Sequence, residues 1–97
     1  MKYLVIDAAL HGTGIRDYYE GGYIDPETLS IAPDVLDRLN KWLLEYEDEH
    51  YNGFINSEVV NKLDLEGKEI AQLIKRNLKE VKMDYYSAAK LIKEPII

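Results

Sequence analysis

VKMDYYS, Val81 to Ser87, decides how this chain folds, because it breaks a helical rhythm and replaces it with an alternating one. Val81, Met83 and Tyr85 alternate with Lys82, Asp84 and Tyr86, the two-residue period of a strand with one buried and one wetter face. An earlier segment, KYLVID at Lys2 to Asp7, is apolar at four successive positions, suits a strand covered on both faces, and ends in a carboxylate. Everything between the two strands must carry the chain from the end of one to the start of the other.

Two helices do most of that. Pro33 fits a first helical turn, where its missing N–H is not needed, and Val35, Leu36, Leu39, Trp42, Leu43 and Tyr46 recur at three- and four-residue spacing. The spacing predicts a helix from Pro33 to about His50, stopped by Gly53. Asn56 or Ser57 caps a second helix, with Glu58 complementing its positive end and an apolar face of Val59, Val60, Leu63, Ile70, Ile74 and Leu78, widened by Ala71 and Leu73. Gly67 interrupts that face at a cost of about 1 kcal/mol against alanine. It predicts either the close approach of another backbone or a break between Leu65 and Lys68.

The order is therefore strand, irregular segment, helix, helix, strand. Strands joined by such a crossover pair most naturally in parallel, through a right-handed connection with the helices on one face. The predicted fold class is α/β: a small two-layer domain, 1–97, with two long helices packed on a sheet of two to four strands whose first and last main strands are parallel. Two strands alone are marginal in water. The sheet is extended or covered by the irregular segment returning through Gly22-Tyr23-Ile24, by the C-terminal tail, or by a second copy of the chain. Ala88 to Ile92 would continue as a short edge segment, with Pro95 ending regular structure.

Composition adds an electrostatic character. The chain has 97 residues, no cysteine and a net charge of −6, so its stability rests on packing alone. The longest apolar run, YLVI, is far short of the stretch of about 20 residues that crosses a bilayer, and no leader pattern follows it, which makes a cytoplasmic location and no membrane partner the expectation. Asp17 to Glu49 holds ten acids against Arg38 and Lys41, a net −8, while the remainder is net +2. Such crowding disfavours nucleic acid as a direct partner and favours a basic protein.

Specific chemistry is thinly signalled. His11-Gly12-Thr13-Gly14 follows a strand, but it lacks the Lys-Ser/Thr of a Walker loop and the third glycine of the dinucleotide fingerprint, and reads as a tight turn. Asp7 stands where open α/β sheets place ligands; with His11 as base and Ser87 as nucleophile it makes a conceivable site, although an aspartate there commonly just caps amides or pairs with a lysine such as Lys90. His11 and His50 lie in separate segments, so neither metal nor cofactor is expected, and no catalytic residue is assigned.

The tyrosines say more. Eight Tyr accompany one Phe and one Trp, and Tyr18, Tyr19, Tyr23, Tyr46 and Tyr51 fall within or beside the acidic third. Tyr3, Tyr46 and Tyr85 fit core faces. The rest offer rigid contact area with a polar tip, a combination enriched at protein interfaces. The predicted partner-binding set is Tyr18, Tyr19 and Tyr23 as stacking groups, with Asp17, Glu20, Glu45, Asp48 and Glu49 as charge partners. Acids at the end of the first helix oppose its dipole, which a binding role would explain.

A small, cysteine-free, acidic chain with the stretches GTGIRDYYEGGYID, WLLEYEDEHY, LDLEGKEIAQLIK and DYYSAAK resembles the immunity proteins encoded beside bacterial polymorphic toxins, including those of contact-dependent growth inhibition. The resemblance implies an inhibitor rather than an enzyme, one that binds a cognate basic toxin domain, often a nuclease, and blocks its active site or substrate groove. Two alternatives differ in class: a ligand-binding or catalytic domain using Asp7 to Arg16 with Tyr86 and Ser87 as a pocket, and a homodimer joined through sheet edges or the tyrosine-rich loop.

Overall fold

The computed structural model describes residues 1–97. Strand β1 (Lys2–Asp7) pairs in parallel with β3 (Val81–Ser87), Leu4 opposite Met83 and Ile6 opposite Tyr85. Short β2 (Ile15–Asp17) and β4 (Ile92–Ile96) flank them antiparallel, giving the order β2-β1-β3-β4. Helices α1 (Pro33–Asn52) and α2 (Ser57–Leu78) form the second layer, so the predicted two-layer α/β architecture with parallel β1 and β3 is what the chain adopts. No helix is long and apolar enough to cross a membrane.

Two of the three candidates for extending the sheet, the irregular segment and the C-terminal tail, are used, though not where expected. The returning strand is Ile15–Asp17 and not Gly22 to Ile24, because wholly buried Ile15 draws its segment against β1. Tyr23 contributes only one isolated bridge to Arg16 after a turn through Gly21, whose φ of 79° is easy for glycine. At the other edge the chain turns at Ala88 to Leu91 instead of continuing, and Pro95 lies inside β4 rather than ending regular structure. An edge strand leaves some of its N–H positions without a sheet partner, which is where proline is tolerated.

α1 runs two residues past His50, and Gly53 closes it in a left-handed conformation, donating its N–H to the Glu49 and His50 carbonyls. Asn56 caps α2 by accepting from Val59 N. That helix runs unbroken through Gly67. What approaches Gly67 is not another backbone but two rings, since a Cβ there would lie 2.8 Å from Trp42 Cζ2 and would collide with Tyr85. The core follows directly: Leu4 and Ile6 of β1, Met83 and Tyr85 of β3, Leu39 and Trp42 of α1, Ile70 and Ile74 of α2. Burying each such aliphatic side chain contributes about 1.5–3 kcal/mol. With even-numbered β1 residues facing the helices, Tyr3, Val5 and Asp7 face the other way, so Tyr3 belongs to the open side of the sheet and not to the core.

Candidate functional site

Three aspartates are buried, and tyrosines attend each of them. On the open side of the sheet, Asp84 accepts a 2.7 Å hydrogen bond from the Tyr3 hydroxyl and lies 3.7 Å from Lys93 Nζ. That bond to the carboxylate, reinforced by burial, pushes the Tyr3 phenol up to about 12. Two strand positions along, Asp7 accepts from Arg16 Nε at 3.1 Å and from Ala9 N at 2.9 Å. Burial first, then the Asp7 charge, raises the Tyr23 phenol to about 12. Tyr18 lies flat on Tyr3 with ring centres 4.1 Å apart, Tyr19 stands edge-on to both, and Lys93 Nζ sits 4.7 Å from the centre of the Tyr18 ring.

The third aspartate, on the helix side, had no place in the sequence reading. Asp64 of α2 accepts from the hydroxyls of Tyr46 at 2.9 Å, Tyr85 at 2.6 Å and Ser87 at 2.9 Å, with Lys90 Nζ at 3.5 Å. The Tyr46 oxygen also accepts from Ala89 N, and Ser87 Oγ from Lys90 N. The network pins the turn after β3 to both helices. Burial dominates in raising the Tyr85 and Tyr46 phenols, with the Asp64 carboxylate adding to it. The cavity beside it, about 30 Å³, has room for little more than one water molecule. Asp64 was legible in principle, since it repeats the phase of Val60, Gly67 and Ala71 on the buried stripe.

This arrangement redistributes the predicted residues. Ser87 donates to Asp64 and Asp7 is held by Arg16, so Asp7, His11 and Ser87 are not joined by any hydrogen bond, and the lysine expected near Asp7 pairs with Asp64 instead. Tyr18 and Tyr19 cover the open side of the sheet, where their ring contacts are with Tyr3 and each other. Asp17 turns its carboxylate back to the Glu20 N–H, while Glu20 is exposed. Glu45 and Asp48 are exposed on α1, in the opposite layer from Tyr18 and Tyr19. Glu49 is a correction: only 8% exposed, it continues the Leu39, Trp42 and Tyr46 stripe, and its Oε2 has no hydrogen-bond partner. The predicted set is thus two surfaces and one interior residue.

Seven of the twelve exposed acids lie on α1 and the turn before it, the others being Glu20, Glu58, Glu69, Glu80 and Glu94. Asp34, Asp37, Glu45, Glu47 and Asp48 are all solvent-exposed on α1; Lys41 is the exposed base among them, and Arg38 is held by Glu66 and Glu69 of α2. Alongside runs a shallow trough of two depressions that share Asn40. One, of about 300 Å³, lies between α1 and the loop Ala8 to Gly12; the other, of about 370 Å³, lies between α1 and the single 3-10 turn Pro26–Thr28. Ion pairs inside the chain neutralise none of the carboxylates on its rim. The site can attract and seat a cationic group; its residues form no nucleophile and base pair. No known protein family matches the chain, and no curated protein does either.

Proposed function

We propose that this protein is an inhibitor of the immunity type, which binds a cationic toxin domain, a nuclease in the first instance, and covers its substrate groove. The observation that carries the reading is the outward face of α1, where five exposed carboxylates stand against one exposed lysine. A nuclease must be cationic where it holds phosphates, so such a face competes for the same ground and speeds encounter by long-range attraction. Helix α1 tolerates Glu47 and Asp48 against its own dipole, a small cost of about 0.3–1 kcal/mol per charge that binding would justify.

The test is to co-express the chain with the basic C-terminal toxin domain encoded beside it and to measure complex formation. The expected result is a 1:1 complex, loss of toxicity, and an association rate that falls steeply as salt rises from 50 to 500 mM and the Debye length shortens from about 14 Å to about 4 Å. Unprotected cells, or a complex whose association ignores salt, would overturn the reading. A homodimer without affinity for the toxin domain would favour the self-association alternative.

A further inference from the structure

We infer that the trough beside α1 is the seat of a cationic amphipathic segment of the partner, its lysine or arginine side chains meeting the rim and its apolar side chains entering between them. The inference deepens the inhibitor reading and rests on it.

The floor of the trough is apolar. Leu36, Leu43 and Leu44 line it from α1 and Leu10 from the facing loop, and Leu44 and Leu10 remain 65% and 37% exposed. The rim is anionic: Asp25 and Glu27 stand on one side, Asp37 and Glu47 on the other. No lysine or arginine lines either depression, and His11 is the one basic side chain there. None of the four rim acids has an ion-pair partner, whereas Glu66, Glu69 and Glu94 are each paired elsewhere on the surface.

Two other depressions show what an alternative would look like. The one between α1 and α2 mixes Arg38, Lys41 and Lys62 with its acids and so satisfies its own charge. The one at the end of α2 is lined by Lys75, Arg76 and Lys79 and would repel a cation. Unlike those two, the α1 trough pairs accessible leucines with unpaired carboxylates. From Pro33 to Glu47 the lining of α1 extends for about 20 Å at 1.5 Å per residue, enough for an extended segment of about six residues at 3.3 Å each. Charge around an apolar floor supplies both steering and a desolvated anchor.

The test uses the full chain, labelled with ¹⁵N, and three synthetic peptides of equal length: Lys/Leu amphipathic, all-Lys, and Glu/Leu. The Lys/Leu peptide should shift the amides of His11, Asn40, Leu43, Leu44 and Glu47 and bind at least about tenfold more tightly than all-Lys, since one buried leucine contributes over 1.4 kcal/mol. The Glu/Leu peptide should not bind. Asp37→Lys with Glu47→Lys should weaken the Lys/Leu peptide about tenfold or more, and Leu44→Ser, at an exposed position that leaves the fold intact, about threefold to tenfold. Salt-sensitive shifts confined to Tyr18 and Tyr19, or equal binding of Lys/Leu and all-Lys, would overturn the trough while leaving a cationic partner in place. Absence of binding would overturn the trough as well; the inhibitor reading then stands or falls separately on the toxin-domain complex.

Discussion

Asp7, Asp64 and Asp84 are withdrawn from water and surrounded by donors, whereas Asp37, Glu45, Glu47 and Asp48 stand along α1 in solvent without an ion-pair partner. The difference explains the unusual aromatic content. Tyr3, Tyr46 and Tyr85 give their hydroxyls to buried aspartates and Tyr23 lies against Asp7, so half of the eight tyrosines serve carboxylates inside the protein. Phenylalanine would fill the same space and take the phenol donors away from Asp64 and Asp84. The exposed acids of α1, by contrast, have no ion-pair partner within the fold, and the proposed function gives them a cationic one outside it.

The sharpest way to break this contrast is Asp64→Ala. It takes the acceptor from three buried hydroxyls at once, and should cost about 3–5 kcal/mol in urea unfolding. Asp64→Asn, which keeps an accepting oxygen, should cost less. A loss below about 1 kcal/mol in the alanine variant would mean that the buried network is dispensable. Next in size, Gly67→Ala should destabilise by about 1–3 kcal/mol in the same assay, because the added methyl meets Trp42 and Tyr85, and overpacking outweighs the better helix propensity.

Alkaline titration sharpens the comparison from the tyrosine side. Tyr3 and Tyr23 are raised from 10 to about 12, and Tyr46 and Tyr85 are raised as well, so the folded state holds these four phenols neutral after the unfolded chain has begun to release their protons. Their contribution is complete below pH 10 and is lost as pH climbs from 10 through 12. Stability should therefore decline across that window, with phenolate absorbance appearing together with unfolding, and Tyr85→Phe should shed part of the decline. The smallest effect belongs to the exposed acids: Glu47→Lys should change stability by no more than about 0.5 kcal/mol.

Most of the fold was legible from residue spacing. The three- and four-residue recurrence of apolar side chains locates both helices, and the alternation of Val81, Met83 and Tyr85 locates the strand that pairs with β1. Pro95 misled because sequence alone does not say that its strand lies at an edge. The candidate site was less legible, since acids and tyrosines that are neighbours in sequence are not neighbours in space. Alternation along β1 sends Tyr3 to the open side and brings Tyr18 onto it, while α1 carries Glu45 and Asp48 in the other layer. Glu49 and Asp64 are charged residues in the phase of buried stripes, and the partners of Asp64 come from α1 and β3, far away in the chain.

The central claim, that the unpaired acids beside α1 exist to meet a cationic partner, is tested most directly by the association rate constant of the toxin domain at low salt, comparing Asp37→Lys/Glu47→Lys with Glu94→Lys at the opposite sheet edge. The account predicts a fall of about tenfold or more for the α1 pair and much less for Glu94→Lys. Equal effects from both variants, or none from either, would contradict it.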